Sequence, residues 1–401
     1  MSDRVFVTGI GVISALGFDI DETASALQKS KSGIGRISLF DTVYKEEIPV
    51  AEVKASNNEL AERAQVKQDG LFSRTSLLGL IAARQALSQA QVRDFAGTRT
   101  GLISATTTGG MDRSERFFKE YLKNNRRGRL RDIVTHDCGN STEIIAKQTG
   151  IRDYVTTIST ACSSSANAIL LGARLVKNGM LDRVLAGGVD ALTLFTLNGF
   201  NSLMILDRNG CKPFDEERNG LTLGEGAGFL MIESERLVKK QGKTILGEVK
   251  GYGNACDAHH QTASSPEGNG AYLSMEKALI TAGLKPAMID YINAHGTGTK
   301  NNDLSEGIAI KRLFQDSVPA FSSTKAYTGH TLGAAGAIEA VFCIMALQHQ
   351  WLYPNLNFRQ TMKELGFSPV ASFQHHVPVR YIMSNSFGFG GNNTSIIFSG
   401  C

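Results

Sequence analysis

Thr157-Ile158-Ser159-Thr160-Ala161-Cys162-Ser163-Ser164-Ser165-Ala166-Asn167-Ala168-Ile169 is a β-branched run that stops at a cysteine and passes into small residues with helical spacing. It reads as strand, nucleophile, helix. Behind the cysteine, Ala166, Ile169, Leu170, Ala173 and Val176 recur at three- and four-residue steps, so one face of the helix is apolar and faces a core. Cys162 is then expected at the helix N-terminus. The positive end of the dipole and the unpaired N–H groups there would bring a thiol from about 8.5 into the range of roughly 3.5–7.5. The ionised form attacks acyl carbon. The competing reading is a small buried hydrophobe, which is what most free cysteines are.

The segments around this one place it in an α/β fold. Arg4–Thr8 alternates as a strand and runs into Gly9-Ile10-Gly11, and helical patterns over 22–29 and 74–90 follow. The GxG lacks a well-placed third glycine and the acidic strand end about 20 residues on, which argues against a dinucleotide site. Gly101–Ala105 is a second strand, running into a Thr/Gly loop to Gly110, and Arg183–Asp190 follows the cysteine helix in βαβ order. From about residue 245 the alternation restarts. Thr244–Val249 leads into Gly251-Tyr252-Gly253 as the first strand led into its glycines; a helix (271–283) and Asp290–His295, again ending in a Gly/Thr loop, come next. Tyr381–Gly391 and Ser395–Phe398 close the chain. This reads as an internal duplication, 1–245 and 246–401, with no low-complexity linker between the halves.

The totals exclude several classes. The 401 residues are 42% apolar, which fits a globular chain with a large core. Lys plus Arg exceed Asp plus Glu by only 42 to 38, so no nucleic-acid partner is expected from charge. The basic run Lys123–Arg131 has no interleaved aromatics and is either a solvated face or a dock for an anionic partner. Cys138, Cys162, Cys211, Cys256, Cys343 and Cys401 form no CxxC pair, which points to a reducing, cytoplasmic setting. Met1–Gly9 shows no signal-peptide pattern. The longest apolar tract, Leu332–Leu347, carries Glu339 and falls short of the roughly 20 residues needed for a membrane span, so it is expected to be a core helix.

Three further stretches bear on Cys162. His295-Gly296-Thr297-Gly298-Thr299 puts a histidine in a loop after a strand, Lys325 and His330 lie in Ser323–His330, and residues 388–391 are a glycine turn. A lone histidine is more often structural than catalytic; two in strand-end loops beside a strand-end cysteine shift the balance. His330 precedes the apolar helix, whose dipole disfavours imidazolium. A neutral ring can donate to a developing oxyanion. Glu339, inside that helix, is expected to meet Lys325 or a cation.

Taken together, Ser159-Thr160-Ala161-Cys162-Ser163-Ser164, Asn293–Thr299, Ser323-Thr324-Lys325, Thr328-Gly329-His330 and Asn385–Gly391 resemble the β-ketoacyl-acyl carrier protein synthases of the elongating, Cys-His-His type, with lesser matches at Pro213-Phe214-Asp215, Gly224–Gly228 and Asp257–His260. The resemblance covers nearly the whole chain. It implies a thiolase-like fold, two βα halves in a five-layer αβαβα sandwich with mixed, largely parallel sheets, and a homodimer. It assigns Cys162 as the acyl acceptor, the N–H groups of Cys162 and Phe387 as oxyanion hole, His295 and His330 as enolate stabilisers and Lys325 as their electrostatic support. Asp303, Glu306 and Glu339 match acidic positions behind the site. Thr297 and Thr299 match the contacts to a phosphopantetheine arm that arrives on acyl carrier protein, Phe387 and Phe389 an aromatic gate, and Thr108 a loop of the acyl tunnel. Asn293, Ala294, Glu339, Ser384 and Asn385 match a monovalent-cation site; no organic cofactor is implied. Arg63, Lys67, Arg126, Arg127 and Arg208 are candidates for carrier-protein docking.

The chain departs from the pattern at Lys300-Asn301-Asn302, where Pro-x-Gly is usual, at Asn392, where threonine is commoner, and at polar Thr108, which leaves open an ordinary fatty acyl chain or a polyene or polyketide intermediate. Competing classes fit less well. A thiolase needs a second reactive cysteine in the last strand region, the initiating synthases use Cys-His-Asn, and non-catalytic partner subunits lack the nucleophile. A zinc hydrolase on Asp257, His259 and His260 lacks a third ligand.

Overall fold

The computed structural model describes residues 4–67 and 72–400; Met1, Ser2, Asp3 and Cys401 of the sequence reading lie outside them. The alternating and β-branched segments form β1 (Val5–Ser14), β2 (Thr100–Ala105), β3 (Tyr154–Ile158), β4 (Arg183–Asp190) and β5 (Gly226–Ser234) in the first half. The second half repeats them as β6 (Gly247–Cys256), β7 (Tyr291–Asn293), β8 (Ala320–Ser322), β9 (Tyr381–Phe387) and β10 (Asn392–Ser399).

Their order is β3-β2-β4-β5-β1 followed by β6-β10-β9-β7-β8, so each half lays its third, second, fourth, fifth and first strands side by side. The duplication expected from sequence is thus present in the topology. The two sheets meet where β1 and β6 pair over Phe6 and Val7, giving one continuous ten-stranded sheet. The expectation of largely parallel sheets is corrected. Of nine pairings, five are antiparallel, because β5 and β10 run opposite to both their neighbours and β1 runs opposite to β6.

Gly9 and Gly11 do not end β1 in a turn; the strand runs through them to Ser14. They are glycines because a helix lies on them. A Cβ on Gly9 or Gly11 would stand 2.2 Å from Ala86 O or 2.0 Å from Ala82 O, in α1 (Arg74–Gln89). Gly251 and Gly253, inside β6, meet Ala278 O and Ser274 O at 2.5 and 2.1 Å, in α4 (Asn269–Ala282). The same strand-on-helix contact occurs once per half.

In chain order the other main helices are α2 (Cys138–Thr149), α3 (Ser164–Lys177), α5 (Lys300–Phe314) and α6 (Ala335–His349). Helices α1 and α2 cover the outer face of the first sheet, α4 and α5 that of the second, and α3 and α6 lie between the sheets against each other. This is the five-layer arrangement. Every residue of Ala335–Leu347 is buried, as an all-round apolar helix requires. Leu332–His349 is long and apolar enough to cross a membrane by length and composition, but 89% of it is inside the protein, so it is the core helix expected.

Candidate active site

The chain leaves β3 at Ile158 and turns sharply through Ala161, which sits at φ +52°, a conformation that costs a non-glycine residue about 1–2 kcal/mol. Ser164 holds the turn from inside: its Oγ donates to Ala161 O at 2.5 Å and accepts from Thr160 N–H at 2.8 Å. Asn392 holds it from the other half. Its Oδ1 accepts from Ser163 Oγ, Asn167 Nδ2 and Asn254 Nδ2 at 2.8, 2.8 and 3.0 Å, so the departure from threonine creates a bridge between halves.

Cys162 is only 6% exposed on this elbow, two residues before α3 begins. Burial pushes its thiol up to about 11, outweighing the opposing pull of Lys325 and nearby N–H groups. Burial thus acts against the lowered pKa expected from the helix start. The N–H groups facing the sulfur belong to Phe389 and to Cys162 itself. Phe389, not Phe387, supplies the second donor, because β9 ends at Phe387 and the chain turns back over the cysteine at Gly388.

His295 follows β7 in a loop whose backbone is held by one face of α5. Glu306 accepts from the N–H groups of His295 and Gly296 at 2.9 and 2.8 Å; Asp303 accepts from those of Thr297, Gly298 and Phe214 at 2.9, 3.1 and 2.8 Å. Two carboxylates three residues apart thus fix the loop bearing the histidine and threonines. Thr297 and Thr299 share a 2.9 Å hydroxyl contact. His330 accepts at Nδ1 from Leu332 N–H at 3.3 Å, which leaves its proton on Nε2.

The two rings stand edge to face with centroids 5.3 Å apart. Both are held neutral. Burial lowers each pKa well below the usual 6.5, and Lys325 adds to it. For His330 this agrees with the sequence reading in outcome, though burial rather than the helix dipole is the main cause. Lys325 is itself buried behind the rings and pairs with Glu339 at 2.5 Å, the partner expected for that embedded carboxylate.

Burial pushes Glu306 up to about 7. Its folded pKa exceeds its unfolded one of about 4.3, so its contribution to stability is full below that value and is lost as pH rises toward 7. The stability of the wild type relative to Glu306→Gln, measured by denaturant titration, is expected to fall between about pH 4 and 7; a flat difference would contradict this.

Cys162, His295, His330, Thr297, Thr299, Phe387 and Phe389 line one cavity of about 490 Å³, whose wall also includes Phe200, Leu203 and Met204. Phe389 stacks on Phe200 with ring centroids 6.0 Å apart. Lys300, Asn301 and Asn302 are in this wall too, so that departure borders the cavity. Thr108 does not line it; its N–H and Oγ1 both bond Asp190 Oδ1 at 2.9 Å. Sequence reasoning missed Asn167, Asn254 and Asp190, whose roles come from contacts across the sheet; the only signal was the unusual Asn392.

At the candidate cation site, the oxygens Oδ1 of buried Asn293 and Oε2 of Glu339 have no partner among the described residues, which fits an oxygen-coordinated ion; Asn293 Nδ2, a donor, is also without one and would have to point away from it. Ala294 N–H bonds Ser322 O, Ser384 faces Cys343, and the Asn385 side chain is taken by Glu306 and Ser395, so those residues could offer only backbone carbonyls. Among the described residues no cluster of three His, Cys, Asp or Glu suits a metal; Asp257 instead ties its own loop through Ser265 and Gly270. Of the docking candidates, Lys67, Arg126 and Arg127 are exposed, exposed Arg63 lies over the Phe18 ring, and Arg208 pairs with Glu47.

Residues 2–237 match the family described as Beta-ketoacyl synthase, N-terminal domain, and 246–359 the corresponding C-terminal domain. The chain is 33% identical to 3-oxoacyl-[acyl-carrier-protein] synthase 2 of Staphylococcus aureus (strain N315), with 98% of each chain covered. Among solved structures, the ishigamide ketosynthase/chain length factor superposes with a TM-score of 0.95 at 31% identity over all of both chains. A type II ketosynthase in complex with its acyl-carrier protein and bound to a hexaketide superposes at 0.88, with 25% identity and full coverage of both.

Proposed function

This chain belongs to the β-ketoacyl synthase family and is a condensing enzyme that elongates acyl chains, and from that premise we propose how its residues carry out the reaction. The observation that carries the reading is one cavity faced by Cys162, His295 and His330. Acyl carrier protein delivers an acyl thioester, Cys162 sulfur attacks its carbonyl carbon, and the thiol proton passes to the departing phosphopantetheine sulfur. The N–H groups of Cys162 and Phe389 stabilise the intermediate oxyanion. A malonyl group on a second carrier then loses CO2, with Nε2–H of His330 and His295 donating to the enolate oxygen. The enolate carbon attacks the acyl-Cys162 carbonyl, the carbon–sulfur bond breaks, and protonation restores the thiol. The product is a β-ketoacyl carrier two carbons longer. Neutral rings suit donation; burial keeps them neutral and Lys325 adds to it.

No organic cofactor enters this scheme; Asn293 and Glu339 would hold a monovalent cation as a structural group. We assign a second thiolase-fold subunit to the first half's sheet edge. In support, β3 is an edge strand with Val155 exposed, and Phe118, Leu122, Leu130 and Val134 are 56–74% exposed. An identical subunit is the first reading. A chain-length partner is the second, favoured by the ketosynthase/chain length factor likeness. The free state of the five described cysteines supports a cytoplasmic setting.

Incubation with a long-chain acyl carrier protein, followed by peptide mass spectrometry, should place the thioester on Cys162; a thioester elsewhere overturns the mechanism. His295→Ala is expected to keep acylation while malonyl decarboxylation falls about 10²–10³-fold, as for a lost oxyanion donor. Unchanged decarboxylation would remove His295 from its role.

A further inference from the structure

Asp190, the last residue of β4, has no exposed surface and takes no part in the chemistry described so far. Its carboxylate accepts from six donors. Five come from its own half: Thr106 Oγ1 at 2.6 Å, Thr107 N–H and Oγ1 at 2.9 and 2.7 Å, and Thr108 N–H and Oγ1, both at 2.9 Å. The sixth, Gly333 N–H at 2.7 Å, comes from the other half.

That sixth bond falls at the end of a strained turn. Leu332 is buried at φ +51°, where a leucine costs about 1 kcal/mol or more and persists only if its surroundings impose it. The kink aims Leu332 N–H at His330 Nδ1. On the other side of the turn, His330 N–H donates to Thr222 O at 2.6 Å and His330 O accepts from Gly224 N–H at 3.0 Å. His330 is therefore clamped before the turn by residues 222–224 and after it by Asp190. There is no space for a larger residue at the far clamp, since a Cβ on Gly333 would lie 2.8 Å from Asp190 Oδ2.

We infer that Asp190 is a positioning residue that keeps the Leu332–Gly333 turn closed and so fixes the Nε2–H tautomer and aim of His330 from the opposite half of the molecule. The inference rests on the reading of His330 as a donor to the enolate. Its physical content is a choice between tautomers. With Leu332 N–H on Nδ1 the proton faces the reacting atoms; with the turn relaxed, Nδ1 can carry the proton and Nε2 becomes an acceptor, which repels an enolate oxygen.

Asp190→Asn keeps the shape but puts an amide N–H₂ against N–H and O–H donors, so at least one contact must open. Malonyl carrier decarboxylation is expected to fall about 10–100-fold, less than the roughly 10⁴ of a fully misplaced tautomer in a serine protease triad. Cys162 acylation should stay within about threefold of wild type, and nitrogen-15 spectra of histidine-labelled protein should show His330 losing its Nε2–H signature. Decarboxylation within threefold of wild type, or an unchanged His330 spectrum, overturns the proposal. So does an equal loss of acylation and decarboxylation, which would make Asp190 part of the scaffold only. If Asp190→Asn does not fold, Gly333→Ala presses on the same contact from the other side and must give the same split. His330→Ala is the reference: if it keeps wild-type decarboxylation, the reading of His330 itself fails, whereas a loss there with none in Asp190→Asn sinks only the inference about Asp190.

Discussion

Cys162→Ala abolishes elongation, with condensation expected to fall by at least about 10⁴-fold and no acyl-enzyme visible by mass spectrometry. The reason is chemical: without the sulfur there is no site for the thioester that splits the reaction into two steps. Malonyl carrier decarboxylation should survive in this variant, because His295, His330 and Lys325 are untouched and the rings contact each other independently of the thiol. The pair of assays therefore separates the two half-reactions. Elongation within tenfold of wild type would mean that Cys162 is the small core residue it superficially resembles. Because burial pushes the thiol up to about 11, acylation through the thiolate should keep rising with pH through 8 to 9, with no plateau at the ordinary cysteine value.

Lys325→Met is expected to destabilise the protein by roughly 3–5 kcal/mol, the cost of leaving one member of a buried ion pair uncompensated. Glu339 is fully enclosed in α6 and Lys325 is its only described side-chain partner. Burial already raises the Glu339 pKa, with Lys325 opposing. Removing the lysine lets the carboxyl take up a proton, so the loss should shrink as pH falls. Lys325→Met combined with Glu339→Gln should recover much of the stability without recovering activity, since the histidines lose the charge that helps keep them neutral. A single variant as stable as wild type at pH 8 by denaturant titration would rule out the pair as described.

Several features of the site were legible because they depend on local pattern. The cysteine elbow shows as a β-branched run meeting a helical repeat of small residues, and α6 shows as an unbroken apolar tract. The His295 and His330 loops show as Gly/Thr punctuation after strands. Where the reading failed, a long-range term won. Glycines in β1 and β6 look like turn residues but are sites where α1 and α4 touch the strands. The N–H beside the sulfur belongs to Phe389 because of where β9 stops, and two candidates separated by one glycine cannot be told apart by spacing.

Sequence alone determined the α/β class and the duplicated halves and brought forward Cys162, His295 and His330 as candidates, since periodicity, turn chemistry and residue type are properties of short segments. Only the tertiary structure decided the burial of Cys162, the antiparallel fifth strands and the reach of Asp190 and Asn392 between halves. The physical reason is that burial and hydrogen-bond partners are set by residues more than a hundred positions away. A helix start lowers the pKa of a thiol in water, and burial pushes it back up once the protein core closes around it.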